Sequence, residues 1–232
     1  MTDAPAQTRG PALGETEPLL AATVGKKLVM AVTGVVLFGF VIVHMVGNLQ
    51  VYLGAEAINE YGHFLHTFFH GAGIWIFRAV LLAAVLLHIW AMTSLTFTNR
   101  RAREVGYRRW TARESSYASR TMRASGVFIL VFIVFHLLHL TTGTVHPDFV
   151  PGDVYHNLIS GFQVVPVAIF YLLATLMLAL HLFHGAWSML QTLGLNHPRY
   201  NRLRNVISVG LAVLVVIGNL SFPLAVLTGL LP

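Results

Sequence analysis

Residues 27–48 read KLVMAVTGVVLFGFVIVHMVGN, and residues 120–140 read RTMRASGVFILVFIVFHLLHL. Each stretch opens on a basic residue and then runs apolar for long enough to cross about 30 Å of hydrocarbon as a helix. Each carries a small pair near its start, Thr33-Gly34 and Ser125-Gly126, and a histidine ten residues after the glycine, His44 and His136. An imidazole inside a lipid-embedded helix is costly, so it marks a site and calls for a partner. Two more apolar stretches carry His88 and His181, which follow His44 and His136 by 44 and 45 residues. The chain therefore reads as a duplicated two-helix unit, with one histidine in each of four spans.

Composition places the whole chain in the membrane. Only 10% of the 232 residues are charged and 56% are hydrophobic, whereas soluble domains carry about 25% charged residues. The length fits one helical bundle. With no cysteine, disulfides, cysteine-ligated iron–sulfur clusters and covalent haem attachment through C-x-x-C-H are excluded from this chain. The net charge of +6 raises nucleic-acid binding as an option. Its placement assigns it to topology instead.

The expected architecture is all-α, with five transmembrane helices over about 28–53, 73–98, 124–144, 162–193 and 206–231. Residues 1–25 are polar, without the apolar core of a signal peptide, and read as a flexible tail with a short interfacial segment at 19–24. Residues 26–232 form the membrane domain. Helices follow because backbone polar groups in hydrocarbon must be satisfied within the segment. Lys26 and Lys27 precede the first span; Arg100, Arg101, Arg103, Arg108, Arg109, Arg113, Arg120 and Arg123 fill the second connection, and Arg199, Arg202 and Arg204 the fourth. The first and third connections hold Glu56, Glu60, Asp148 and Asp153 instead. The positive-inside rule then puts the N-terminus inside and the C-terminus outside.

Four histidines on four helices, with no cysteine, predict two bis-histidine centres, which points to two non-covalent b-type haems. Depth selects the pairs. At 1.5 Å per residue His44 lies about 24 Å from the inner end, and the repeat puts His136 at the same register; His88 and His181 lie about 15 and 18 Å from that end. His44 pairs with His136, and His88 with His181. A neutral imidazole that ligates through one nitrogen needs an acceptor for the other. That acceptor is commonly a backbone carbonyl one turn back, and the sequence does not name it. His139 and His184 each stand one turn beyond a ligand and are rivals; the ten-residue register favours His136 over His139, and either rival suits haem propionates, a quinone or, at least as well, plain polar packing. Gly34, Gly39, Gly47, Gly126 and Gly185 lie near the ligands, where they would admit a flat macrocycle or simply allow close helix packing.

These passages resemble the cytochrome b membrane-anchor subunit of succinate:quinone oxidoreductases and fumarate reductases, of the single-anchor, five-helix, dihaem type. The likeness spans about residues 26–230. It is carried by KLVMAVTG at 27–34, HMVGN at 44–48, GAEAIN at 54–59, His88, FIVFHLLH at 132–139 and ALHLFHGAWSMLQTLGL at 179–195. The resemblance implies the same histidine pairing, and its H-x-x-x-G pattern selects His181 over His184. It further implies a flavoprotein subunit with FAD, an iron–sulfur subunit docked on the basic inner face, a membrane quinone (menaquinone favoured) as substrate, and residence in a bacterial cytoplasmic membrane. Succinate chemistry itself would then sit on the partner chains.

Arg78 is the one charge inside a span and is assigned to the propionates of the outer haem, with snorkelling to the interface as the alternative. Glu60, His63, His66 and His70 are candidates for an outer quinone site, the three histidines at spacings that share one face of a short helix. Other readings are a dihaem anchor of a nitrate reductase or hydrogenase type, and a haem-free transporter using histidines as proton relays. The absence of acidic residues from the spans disfavours the transporter. The fifth span, with Asn219 and Pro223, reads as packing and lipid contact with a kink.

Overall fold

A computed structural model describes residues 22–102 and 117–231. Seven α-helices form among them: α1 Thr23–Asn48, α2 Ala55–Thr67, α3 Ala72–Arg101, α4 Tyr117–His136, α5 Val154–Gln163, α6 Val165–Thr192 and α7 Asn201–Leu227. Five helical segments are long and apolar enough to cross a membrane: Thr23–Leu53, Ala55–Arg101, Thr121–Thr141, Val165–Thr192 and Pro198–Leu227. They carry large exposed hydrophobics along their length, among them Val43, Val46, Leu82, Leu86, Val131 and Ile217. Such surface is untenable in water and suited to lipid. The chain is a multi-pass membrane protein.

Several helix boundaries depart from the sequence expectation. Thr23–Gly25 belong to α1 and not to the tail, most of which lies outside the described residues. The long fourth span is two helices. Val164 is extended at ψ 95° and Pro166 occupies the first turn of α6, because proline suits a helix start and disfavours helical backbone just before it. The short amphipathic helix α5 therefore lies outside the span. At the fifth span, α7 starts at Asn201 and remains one helix through Pro223.

α1 packs chiefly on α3, α4 on α6, and α7 on α6, so the two halves of the repeat form two helix pairs. Lys26 Nζ donates to Thr98 Oγ1 at 3.4 Å, joining the start of α1 to the end of α3. Lys26, Lys27, Arg100, Arg101, Arg123, Arg199 and Arg202 accordingly gather at one end of the bundle, here the basic end. The opposite, capped end is closed by α2 and α5, which touch each other. A hydrophobic cluster fills it: Val51, Ile58, Leu158, Phe162, Tyr171 and Phe222 are its main members. The fifth span also has a specific seat. A Cβ on Gly218 of α7 would meet Met45 Sδ, so the glycine lets α7 lie close against the buried Met45 beside His44.

Two side chains latch the cap. Asp153 Oδ1 accepts from the His156 amide at 3.0 Å, as an N-cap of α5, and from Asn59 Nδ2 of α2 at 3.0 Å. Asn59 Oδ1 in turn accepts from the Tyr155 amide at 3.0 Å. The His156 amide first, and then the Asn59 amide, hold the Asp153 carboxyl below its ordinary pKa. Asp153→Ala is expected to cost about 1 kcal/mol, the usual value of an N-cap. Because the folded pKa is depressed, this stabilisation is present above the unfolded value of 3.8 and is lost as pH falls through the folded one. Thermal melts in detergent should therefore show the gap between wild type and variant closing on acidification. A gap that stays constant down to acid pH would refute the latch.

Candidate bis-histidine sites

The interior between α1, α3, α4 and α6 is lined by histidine. His44 of α1 meets His136 of α4 with ring centroids 5.8 Å apart and planes at 84°. His88 of α3 meets His181 of α6 at 6.4 Å and 55°. Imidazole nitrogens bind transition metals at about 2 Å, so a metal midway between two of them puts the ring centroids about 6 Å apart. Both pairs fit that spacing. Among the described residues, no group of three or more His, Cys, Asp or Glu could hold a metal ion. Two protein donors per centre would suit a metal already held by a macrocycle better than a bare ion.

Neighbours of the first pair hold its rings in place. Phe40 stacks on His44 one turn earlier, centroids 5.2 Å apart at 15°. Phe132 lies against His136 in the same relative position but tilted, at 5.7 Å and 33°. Asn48 Nδ2 stands 3.2 Å from His44 Nε2; as the amide donates, that nitrogen carries the lone pair. The Tyr171 hydroxyl lies 3.2 Å from His136 Nδ1 and 3.0 Å from His139 Nδ1.

The second pair is held differently. Thr33 Oγ1 lies 3.0 Å from His88 Nδ1, and Ser125 Oγ lies 3.3 Å from His181 Nδ1. The small pairs found by repeat in the sequence thus contact the histidines of the other centre. Gly34 and Gly126 leave room beside the same two rings: a Cβ there would stand 3.7 Å from His88 Cε1 and 3.5 Å from His181 Cε1. The remaining glycines divide. Gly47 receives the Tyr61 ring, while Gly39 and Gly185 face open space. The supposed carbonyl one turn back in the ligand's own helix is not the partner of either ring; a hydroxyl from the adjacent helix is. Eleven residues of α1 separate Thr33 from His44, so the two pairs stand about 16 Å apart along the bundle.

The rival histidines go elsewhere. His139 lies in a π-helical turn over Leu137–Thr141, marked by the Thr142 amide bonding back to Leu137 O at 2.9 Å. That wider turn swings His139 away from His44. It is fully buried and stacks on His146 at 4.7 Å and 23°. His146 is anchored to Asn157 O through Nε2 at 2.9 Å. His184 makes no hydrogen bond to a described residue, and it is His181 that faces His88.

Arg78 is exposed, and its guanidinium lies over the Trp75 ring at 4.8 Å. One expectation needs correction. Glu60, His63, His66 and His70 are all exposed, and the three histidines do not share one helical face. α2 ends at Thr67, and Phe69 and His70 take positive φ angles of 49° and 54°, so His70 leaves the helix. His66 Nδ1 bonds Gly62 O of its own helix at 2.9 Å.

Sequence reasoning assigned Arg204 to topology alone, yet it is 3% exposed. Its guanidinium stacks on Trp187 at 4.5 Å and reaches Asn201 Oδ1, leaving Nε and Nη1 without a hydrogen-bond partner. The signal was present in the spacing of Asn201, Arg204 and Ser208, one face of a helix. Ser208 Oγ is also buried without a partner.

Residues 98–218 match the family described as succinate dehydrogenase/fumarate reductase transmembrane subunit. The match contains His136 and His181 and covers more than half of the chain. No curated protein and no solved structure matches.

The packing around His139 yields a test independent of any cofactor. A Cβ on Gly161 would stand 2.8 Å from His139 Cε1 and 3.0 Å from His146 Nε2. Gly161→Ala is expected to destabilise the chain by about 1–3 kcal/mol, the cost of overpacking. His139→Ala in the same background should recover part of that loss, as measured by thermal unfolding in detergent. Additive losses in the double variant would refute the contact.

Proposed function

The chain belongs to the succinate dehydrogenase/fumarate reductase transmembrane subunit family, and on that premise we propose that it anchors the catalytic subunits and carries electrons between them and a membrane quinone. The observation that carries this reading is the pair of facing histidine sets, at a spacing one metal would bridge, on four helices of a five-span bundle. His44 with His136, and His88 with His181, would hold two b haems. Bound there, the haems would supply one-electron carriers at two depths in the membrane. The protein's own part is to keep neutral imidazoles facing inward in a dry interior. Lipid-facing valine and leucine exclude water, Phe40 and Phe132 wall one pair, and the hydroxyls of Thr33, Ser125 and Tyr171 meet the nitrogens turned away from a metal.

The partners would be a flavoprotein subunit with FAD, which handles succinate and fumarate, and an iron–sulfur subunit. With no cysteine in the chain, cysteine-held iron–sulfur chemistry must belong to another subunit. The basic end supports docking of such a partner: Lys27, Arg100, Arg101 and Arg123 are exposed there. Positive-inside topology makes that end the cytoplasmic one in a bacterial inner membrane. A quinone, menaquinone by preference, would be served at the capped end, where Glu60, His63 and His66 are open to exchange protons.

The test is a redox-titrated absorption spectrum of the complex purified from its membrane. Two b-type centres per chain are expected. His44→Ala and His136→Ala should each remove one and the same centre; His88→Ala and His181→Ala should remove the other. A colourless preparation from haem-replete cells would overturn the reading, and loss of mismatched centres would overturn the pairing.

A further inference from the structure

The two halves of the repeat support each other in a crossed way. α1 contributes His44 to one pair and Thr33 to the other; α4 contributes His136 to one pair and Ser125 to the other. The equivalence runs deeper than the small pairs. Met30, Thr33, Gly34, Phe40 and His44 recur as Met122, Ser125, Gly126, Phe132 and His136, each 92 residues on. Both hydroxyls are buried, Thr33 at 6% and Ser125 at 1% exposure, and both are committed as donors to their own helix. Thr33 Oγ1 donates to Val29 O at 2.7 Å, with Met30 O at 3.2 Å. Ser125 Oγ donates to Met122 O at 3.0 Å.

A hydroxyl has one hydrogen. Spent on a backbone carbonyl, it leaves only lone pairs for the imidazole, so Nδ1 of His88 and of His181 must be the donor. A neutral ring protonated at Nδ1 carries its lone pair on Nε2, and neither ring has another hydrogen-bonding side chain among the described residues. We propose that Thr33 and Ser125 are paired positioning residues that fix His88 and His181 in the Nδ1–H form and set the electron affinity of the centre between them. This rests on the proposed function, because it supposes that a metal is held there.

The direction follows from the hydrogen bond. An acceptor at Nδ1–H raises the basicity of the ligating nitrogen, and an acceptor already polarised by its own donated bond does so more strongly. A more basic ligand favours the oxidised metal. Removing the hydroxyls should therefore make this centre easier to reduce. Loss of outer-shell partners commonly has about tenfold consequences, which for one electron is about 59 mV.

The experiment compares Thr33→Val, Ser125→Ala and their double variant with Thr33→Ser and Ser125→Thr, in the complex purified from its membrane. The readouts are haem content per chain, midpoint potentials by redox titration, and the low-temperature electron paramagnetic resonance signature of each ferric centre. The centre concerned is the one absent from His88→Ala. In the double variant its potential is expected to rise by the equivalent of about tenfold, with a shifted ferric signature, while the other centre stays put. The hydroxyl-retaining variants should keep wild-type values at both. If the double variant loses the centre outright, the single variants should keep it and show an intermediate rise. Single variants with wild-type potential and signature would overturn the proposal, as would Thr33→Ser and Ser125→Thr shifting as far as the hydroxyl deletions. A wild-type complex without two b-type centres would instead overturn the proposed function, a distinguishable failure seen before any variant is made.

Discussion

A membrane interior offers polar groups no water, and the organisation of this bundle follows from that shortage. Backbone groups meet the constraint by forming helices. Imidazoles cannot meet it alone. His44, His88, His136, His139 and His181 all lie within segments able to span the membrane, and each has a ring nitrogen in contact with a hydroxyl or amide. The partners are Thr33, Ser125 and Tyr171 on neighbouring helices and Asn48 one turn on in the helix of His44, all of which reach a ring without carrying further charge into the apolar region. Thr33, Ser125 and Tyr171 each meet one ring nitrogen of His88, His181 and His136 and leave the other without a side-chain hydrogen bond among the described residues.

The apolar material is distributed to match. The buried hydrophobic cluster lies at the capped end, where α2 and α5 cover the span ends and Ile58, Leu158 and Phe162 pack on Tyr171. Tyr171 belongs both to that cluster and to the contacts of His136 and His139, so the capped core positions one of the histidine pairs. α7 plays a related part from the side by receiving Met45 against Gly218, which sets the helix face next to His44. Cap, fifth span and histidine pairs are one mechanical unit.

Much of this was legible because hydrocarbon is a severe filter. A stretch such as 28–47 can be little other than a spanning helix, and a histidine ten residues past a small pair stands out when almost everything else is valine, leucine or phenylalanine. Equal depth, counted at 1.5 Å per residue, sufficed to suggest which histidines face each other, since helices crossing one slab share a common ruler. The same ruler fails where the backbone departs from the α-helix. His139 stood as a rival that the ten-residue register disfavoured against His136, and the π turn places it against His146. The span at 162–193 looked continuous although Pro166 restarts it. His70 appeared to extend the face of His63 and His66, but the chain turns through positive φ before reaching it.

The sequence by itself determined the number of spans, the duplication, the four histidines and the segregation of basic from acidic connections, because each is a matter of composition along a line of known pitch. Only the tertiary structure decided rotation about the helix axes, and hence who answers whom. Thr33 and Ser125 were visible as a repeat, but nothing in their spacing to His44 and His136 says that they serve His88 and His181, 55 and 56 residues away. Arg204 and Arg78 show the same limit from opposite sides: the first lies buried over Trp187 and the second exposed beside Trp75. Burial is set by which face of a helix its neighbours cover, and that is a property of packing, not of order along the chain.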